Sequence, residues 1–231
     1  MMNYKNIRVA LDGPSGAGKS TIAKAVAAKT GLVYVDTGAL YRTVGLYSIE
    51  NGVRHDDEAG IIATLEKIDI DLAYEDGQQC VYLNGVPVGN KIRTEQASLY
   101  ASAVSKIPEV RAFLLEMQKK IAQKGGVIMD GRDIGTVIIP DAEVKVFMTA
   151  SAEERARRRH KEQREKGIEV TFEEVLRAIN ERDKQDSERE AAPLKAADDA
   201  VYFCNDGYDI DQSADYIIGL MNKYLERTEQ A

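Results

Sequence analysis

The sequence predicts an α/β fold, a five-stranded parallel sheet with flanking helices. Three observations predict it. Five short apolar runs, at Ile7–Leu11, Val33–Asp36, Val127–Met129, Val144–Met148 and Val201–Cys204, have the length and composition of buried strands. Stretches with helical spacing separate them, as a parallel sheet requires. A glycine-rich segment, GPSGAGKS at residues 13–20, joins the first run to the first helical stretch.

Taken in order, helical spacing runs from about Lys19 to Lys29, and Gly31 is its C-terminal stop. After the second apolar run, Leu40, Val44 and Tyr47 form the seam of a helix that Asn51-Gly52 ends. A helical stretch around Ile61 to Lys67 follows. The period then changes to two: Ile68, Ile70 and Leu72 alternate with Asp69 and Asp71. Asp76-Gly77 and Asn84-Gly85 are hairpin signals on either side of Gln79–Leu83, and Pro87 suits an edge strand. Residues from 68 to about 92 thus read as a small antiparallel β meander inserted into a βα framework.

Helical spacing resumes near Thr94. Pro108 opens a further helix with its seam at Val110, Leu114, Met117 and Ile121, and Gly125-Gly126 stops it. Ser151 with Glu154, and Thr171 with Glu174, are capping-box pairs opening two helices parted by Gly167. Pro193 limits the second. The last helix is expected from about Ser213. With no internal repeat or low-complexity linker, residues 1–231 read as a single domain, the meander and an arginine-rich helical lid at about 151–168 being parts of it.

Composition narrows the function. Of 231 residues, 44% are hydrophobic and 30% charged, ordinary values for a globular chain. The formal net charge of −7 argues against nucleic acid as a partner, since such binders carry a basic surplus. It leaves room for small phosphorylated ligands, which need only local positive charge. Cys80 and Cys204 lie far apart, outside any ligand-spaced cluster, and read as reduced, mostly buried thiols. No membrane span and no leader pattern is seen, so a cytoplasmic location is expected.

The glycine-rich segment fits G-x-x-x-x-G-K-[ST] at Gly13, Gly18, Lys19 and Ser20. Gly13, Pro14, Ser15, Gly16, Ala17 and Gly18 turn backbone amides around phosphate oxygens, where side chains would obstruct. The helix that follows, with Lys19, Ser20 and Thr21 in its first turn, points its positive end at the anion. Lys19 is expected to reach the β- and γ-phosphates of ATP, and the Ser20 hydroxyl to ligate Mg²⁺. The segment predicts a nucleotide site without naming the phosphoryl acceptor.

A regulatory GTPase would carry Asn-Lys-x-Asp, and neither Asn90-Lys91 nor Asn222-Lys223 is followed by that Asp. A remodelling ATPase would end its strand in Asp-Glu, whereas this strand ends VIMDGRD. Arg132 in that position suits a second anion. DTGALYR at 36–42 places Arg42 off its helix seam, and in ERDKQDSER at 181–189, Arg182, Asp186 and Arg189 share one helix face. Two cations flanking an acid can hold an anionic group and a hydroxyl together. The run SAEERARRRHKEQREKG, at 151–167, reads as a lid bringing guanidinium groups to the transferring phosphoryl. Glu153–Arg157 and Glu154–Arg158 are spaced as ion pairs along it. Spacing does not say which of Arg155, Arg157, Arg158 and Arg159 faces inward; Arg158 is the one assigned to ATP and to catalysis. His55 and His160 read as solvated. Transfer to a phosphate needs no strong base, because the acceptor oxygen is already anionic.

With IRVALDGPSGAGKST, DTGALYR, the meander, KIRT, DGRDIGTVIIPDA, ERARRR and ERDKQDSERE…APL in this order, the chain resembles the bacterial cytidylate kinases, a branch of the nucleoside monophosphate kinases, over nearly its whole length. The resemblance implies a P-loop nucleoside-kinase fold and transfer of the γ-phosphoryl of ATP to CMP or dCMP. It implies that Arg42, Arg132 and Arg189 hold the acceptor phosphate, with Thr37 and Tyr41 beside it. Ser102, Arg111 and Asp133 would read cytosine, and Arg182 and Asp186 would contact the pentose. Lys19, Arg132, Arg158 and Arg189 would be the catalytic group. A carboxylate at Asp133 accepts from the amino group of cytosine, while Arg111 donates to the ring nitrogen or carbonyl. Uracil would meet like partners there, a mismatch that can discriminate by roughly 10⁴–10⁵. The expected partners are small nucleotides only, and the expected state is a monomer. A kinase of another monophosphate or of a hydroxyl-bearing metabolite, or a nucleotide-gated binding module with slow hydrolysis, remain the alternatives.

Overall fold

The computed structural model describes residues 3–75 and 78–230. In chain order the elements are β1 (Arg8–Asp12), α1 (Lys19–Thr30), β2 (Val33–Asp36), α2 (Thr37–Glu50), α3 (Glu58–Thr64), β3 (Ile70–Glu75), β4 (Gln78–Leu83), β5 (Val86–Pro87), α4 (Glu95–Val104), α5 (Pro108–Ala122), β6 (Val127–Gly131), β7 (Val144–Thr149), α6 (Ala152–Glu165), α7 (Phe172–Glu188), β8 (Val201–Cys204) and α8 (Ile210–Glu229). Short 3₁₀ turns lie at Leu65–Lys67 and Gly89–Arg93, and one turn of π-helix at Ile134–Ile138. The chain divides into two compact units, Met1–Val33 with Gly125–Ala231, and Tyr34–Lys124.

The five apolar runs form one sheet in the order β2-β6-β1-β7-β8. β1 sits in the middle and pairs in parallel with β6 and with β7. Its residues Val9, Ala10 and Leu11 are buried, as a strand covered on both faces must be. The register sets Asp12 opposite Gly131 and Phe147. The loops leaving β1 and β6 therefore start side by side, at the point where successive strands go to opposite sides of β1. Open α/β sheets bind ligands at such a point.

The first unit departs from the sequence reading in three places. β8 is an edge strand, and only Phe203 of its four residues is buried. Its pleat turns Cys204 outward, so that thiol is exposed, against the expectation of buried thiols; Cys80, on β4 of the second unit, is half-buried. The capping box at Ser151 is half made: its hydroxyl accepts from the Glu154 N–H, but its own N–H donates to Asp206. α8 starts before Ser213, because Asp209 and Gln212 form a complete box. The box at Thr171 and Glu174 is complete as expected. Buried Arg155 and Ala156 of α6 and Val175 and Ile179 of α7 form the interior of the helical pair.

In the second unit, α2 packs on α4, and a Cβ at Gly45 would lie 2.7 Å from the Cβ of Tyr100. Leu40, Val44, Ile61, Val104, Val110 and Leu114 are completely buried in its core. The antiparallel sheet has the order β3-β4-β5, with Pro87 on the edge. Asn84 (φ 50°) and Gly85 (φ 76°) make the left-handed turn that a two-residue hairpin needs. The Asp76-Gly77 turn lies outside the described residues.

Candidate functional site

The glycine-rich segment follows β1 directly and ends in the first turn of α1. Gly13 has φ 148°, and a Cβ there would fall 1.9 Å from the carbonyl oxygen of Met148. Gly16 (φ 78°) and Gly18 (φ 86°) are left-handed, which tightens the loop into a concave nest of amides. Lys19 is buried, and its Nζ donates to the carbonyls of Gly13 and Pro14, both at 2.8 Å. Burial, followed by the charge of Arg132, pushes its ammonium down to about 7. Thr21 is exposed.

Ser20 Oγ donates to Asp130 Oδ2 at 2.7 Å. A hydroxyl and a carboxylate are the hard oxygen ligands that Mg²⁺ takes alongside substrate phosphates, so the pair fits that ion. Among the described residues no group of three or more His, Cys, Asp or Glu could hold a metal. Sequence reasoning missed Asp130. Its signal was there, an acid ending the apolar strand beside β1 in VIMDGRD.

The loop after β6 is fastened to β1. Asp12, buried, accepts from the N–H groups of Ile134 and Gly135, each at 2.8 Å. Burial raises its carboxyl to about 6, with the two amides opposing. The loop between carries Arg132 and Asp133. Arg132 Nε donates to Asp186 Oδ2 on α7 at 2.9 Å. Burial opposes ionisation of Asp186, but Arg132, Arg182 and Arg189 outweigh it and hold the carboxyl below the usual range. Arg189 lies just past α7; its Nε donates to the Ala192 carbonyl at 2.6 Å and its Nη2 is 3.8 Å from Asp133. Arg132, Asp133, Arg182, Asp186 and Arg189 thus gather in one charged cluster.

The arginines of α6 take different partners. Arg155 is buried against Asp183 of α7, at 3.0 and 2.6 Å, and reaches the Ser15 carbonyl at 3.1 Å. Arg158 is half-buried, pairing with Glu154 at 3.1 Å and with Asn205 Oδ1 at 3.5 Å. Arg157 turns to Glu154 at 2.8 Å rather than to Glu153, because one carboxylate serves both i+3 and i+4. His160 is not simply solvated: its Nε2 lies 3.0 Å from the carbonyl of Val170. His55 is exposed, as expected.

In the second unit the end of β2 and the start of α2 make another cationic group. Asp36 caps α2, accepting from the Ala39 N–H at 2.9 Å. The same carboxylate holds Arg42 at 2.7 Å and Arg93 at 3.3 Å. Arg42 Nε is buried with no hydrogen-bond partner among the described residues, an orphaned donor of the kind an anionic ligand satisfies. Thr37 and Tyr41 are buried beside it on α2. The Arg111 guanidinium lies 5.7 Å over the Tyr41 ring and donates to the Ser105 carbonyl at 3.2 Å. The Ser105 hydroxyl donates in turn to the carbonyl of Ser102. Arg93 was given no role from sequence, although KIRT contains it.

A family model described as cytidylate kinase matches residues 9–223. A cytidylate kinase of Caldicellulosiruptor bescii is 46% identical over 222 residues, 96% of this chain and 98% of that protein. Another, of Carboxydothermus hydrogenoformans, is 50% identical over 206 residues, 89% of this chain and 93% of its own. Among solved structures, an uncharacterized protein from Eubacterium ventriosum has a TM-score of 0.52 at 14% identity, covering 95% of this chain and 99% of that one, a likeness of fold alone.

Proposed function

The chain belongs to the cytidylate kinase family and phosphorylates CMP and dCMP, and we propose that the γ-phosphoryl of ATP passes directly onto the acceptor's own phosphate among the residues described above. The observation that carries this is the register of the sheet. Asp12 and Gly131 are opposite each other, so a loop of amides and a loop bearing Arg132 leave neighbouring strands at the same level. One is suited to a triphosphate and the other to a second anion.

In this reading the N–H groups of residues 15–20 bind the β- and γ-phosphates, and Lys19 turns an N–H to the phosphate oxygens. Arg42, Arg132 and Arg189 take the acceptor phosphate, with Thr37 and Tyr41 beside it. Asp186 keeps Arg132 aimed, and with Arg182 meets the pentose. Asp133, Arg111 and Ser102 read the base. Arg158 serves ATP and the transferring group. Ser20 and Asp130 would hold Mg²⁺, which neutralises charge on the phosphates when bound. The acceptor attacks through an oxygen already ionised, so the side chains contribute positioning and positive charge rather than proton removal.

No helix among the described residues is long and apolar enough to cross a membrane. We place the enzyme in the cytoplasm, acting as a monomer on free nucleotides without nucleic acid. The test is a coupled assay of ADP formation with CMP, dCMP, UMP, AMP, a hydroxyl-bearing metabolite, and no acceptor. Turnover is expected with the two cytidine monophosphates. Equal turnover without acceptor would instead identify a hydrolase, and preference for another acceptor would move the base-reading roles elsewhere.

A further inference from the structure

A phosphate-binding loop works when its N–H groups face the anion, and each peptide that turns its N–H inward turns its carbonyl outward. An outward carbonyl that is buried needs a donor. Four carbonyls of this loop have side-chain donors. Lys19 serves Pro14 and also Gly13, whose peptide with Pro14 has no N–H to turn inward. Arg155 Nη1 serves Ser15 at 3.1 Å, and Asn205 Nδ2 serves Ala17 at 3.0 Å. The last two come from outside the motif, 140 and 188 positions away along the chain.

Both outside donors are themselves fixed. Arg155 is 5% exposed; its Nε donates to the Ala150 carbonyl at 3.0 Å and its fork grips Asp183. Its stem lies against the loop, 3.3 Å from where a Gly16 Cβ would be. Asn205 is 2% exposed, and its N–H donates to the carbonyl of Thr149 at 2.9 Å. The Lys19 ammonium has three N–H donors and must serve a phosphate as well as these two carbonyls. Arg155 and Asn205 have no such second task, so their contacts can persist through turnover.

We infer that Arg155 and Asn205 are positioning residues that hold the phosphate cradle in its binding shape by anchoring the outer, carbonyl side of the loop. Neither needs to touch the nucleotide for this. The inference rests on reading residues 13–20 as the ATP cradle. It also gives Arg155 a role distinct from that of Arg158: its guanidinium is spent on Ser15, Ala150 and Asp183.

Four variants test it: Asn205→Leu, close in size but without a donor; Asn205→Gln; Arg155→Lys, which keeps the charge and stem but not the fork; and Lys19→Met. The readouts are the ATP dissociation constant by calorimetry, KM for ATP and for CMP separately, and the melting temperature. Loss of either anchor should raise the ATP dissociation constant about tenfold. KM for CMP should stay within about twofold. Asn205→Gln, which restores an amide, should recover part of the affinity. Unchanged ATP affinity in the folded variants overturns the inference. So does a rise in both KM values together with a lower melting temperature, which marks a merely structural role. If Asn205→Leu does not fold, Arg155→Lys and Asn205→Gln decide. If Lys19→Met leaves ATP affinity and turnover intact, the cradle reading itself is wrong, a separate failure.

Discussion

Lys19 carries a charge that its surroundings resist. Burial and then Arg132 lower its ammonium to about 7, while Asp130, Asp12 and Asp186 pull it up. A bound triphosphate stabilises the charged form. At pH 8 ATP binding should therefore take up close to one proton. Affinity should fall as pH rises past 7, towards about tenfold per unit. Calorimetry in buffers of differing ionisation enthalpy measures the uptake, and none at pH 8 would refute the lowered lysine. Arg132→Ala removes a repelling neighbour, so the uptake should shrink in that variant. Measured below pH 7, where Lys19 is already mostly charged, the same substitution should cut kcat by about 10²–10³ while leaving ATP affinity nearly intact. A near-normal kcat would misplace the acceptor site. The glycine loop and GRD were legible in sequence because their spacing is their mechanism. Arg155 was not separable from Arg158 or Arg159, since i, i+3 and i+4 share a helix face and periodicity does not distinguish a buried guanidinium from a half-exposed one.

Among the elements, caps and glycines made boundaries readable where the signal was local. Gly31 ends α1 and the Thr171 box opens α7, both as expected. The π-turn at Ile134–Ile138 was invisible, because its cause is not in its own sequence. Asp12, on another strand, holds the amides of Ile134 and Gly135, and the chain closes with Ile139 N–H on the Ile134 carbonyl. Gly45 is a similar case: it reads as a mild helix breaker, yet its place is set by Tyr100 on α4. Gly45→Ala should destabilise the fold by about 1–3 kcal/mol, since the two helices cannot part without losing their contact. Urea denaturation measures it, and a neutral or stabilising effect would show that the helices yield more easily than their packing implies.

For the whole molecule, a net charge of −7 coexists with local arginine clusters because the function needs positive charge only where phosphates lie. The parallel sheet was legible from five apolar runs, but the strand order was not. Order depends on which edge each crossover takes, and it is the order that puts β6 beside β1. Discrimination is a property of the complete chain: on the proposal that Asp133 and Arg111 read the base, kcat/KM for CMP should exceed that for UMP by roughly 10⁴. Comparable values would remove those two residues from that role.

Single-turnover rapid quench with γ-labelled ATP and excess CMP follows the phosphoryl group itself. The label should pass in one step from ATP to the β-phosphate of CDP, at the rate at which ATP disappears. Label released as inorganic phosphate, or held on the protein before CDP forms, would contradict direct transfer between two bound nucleotides.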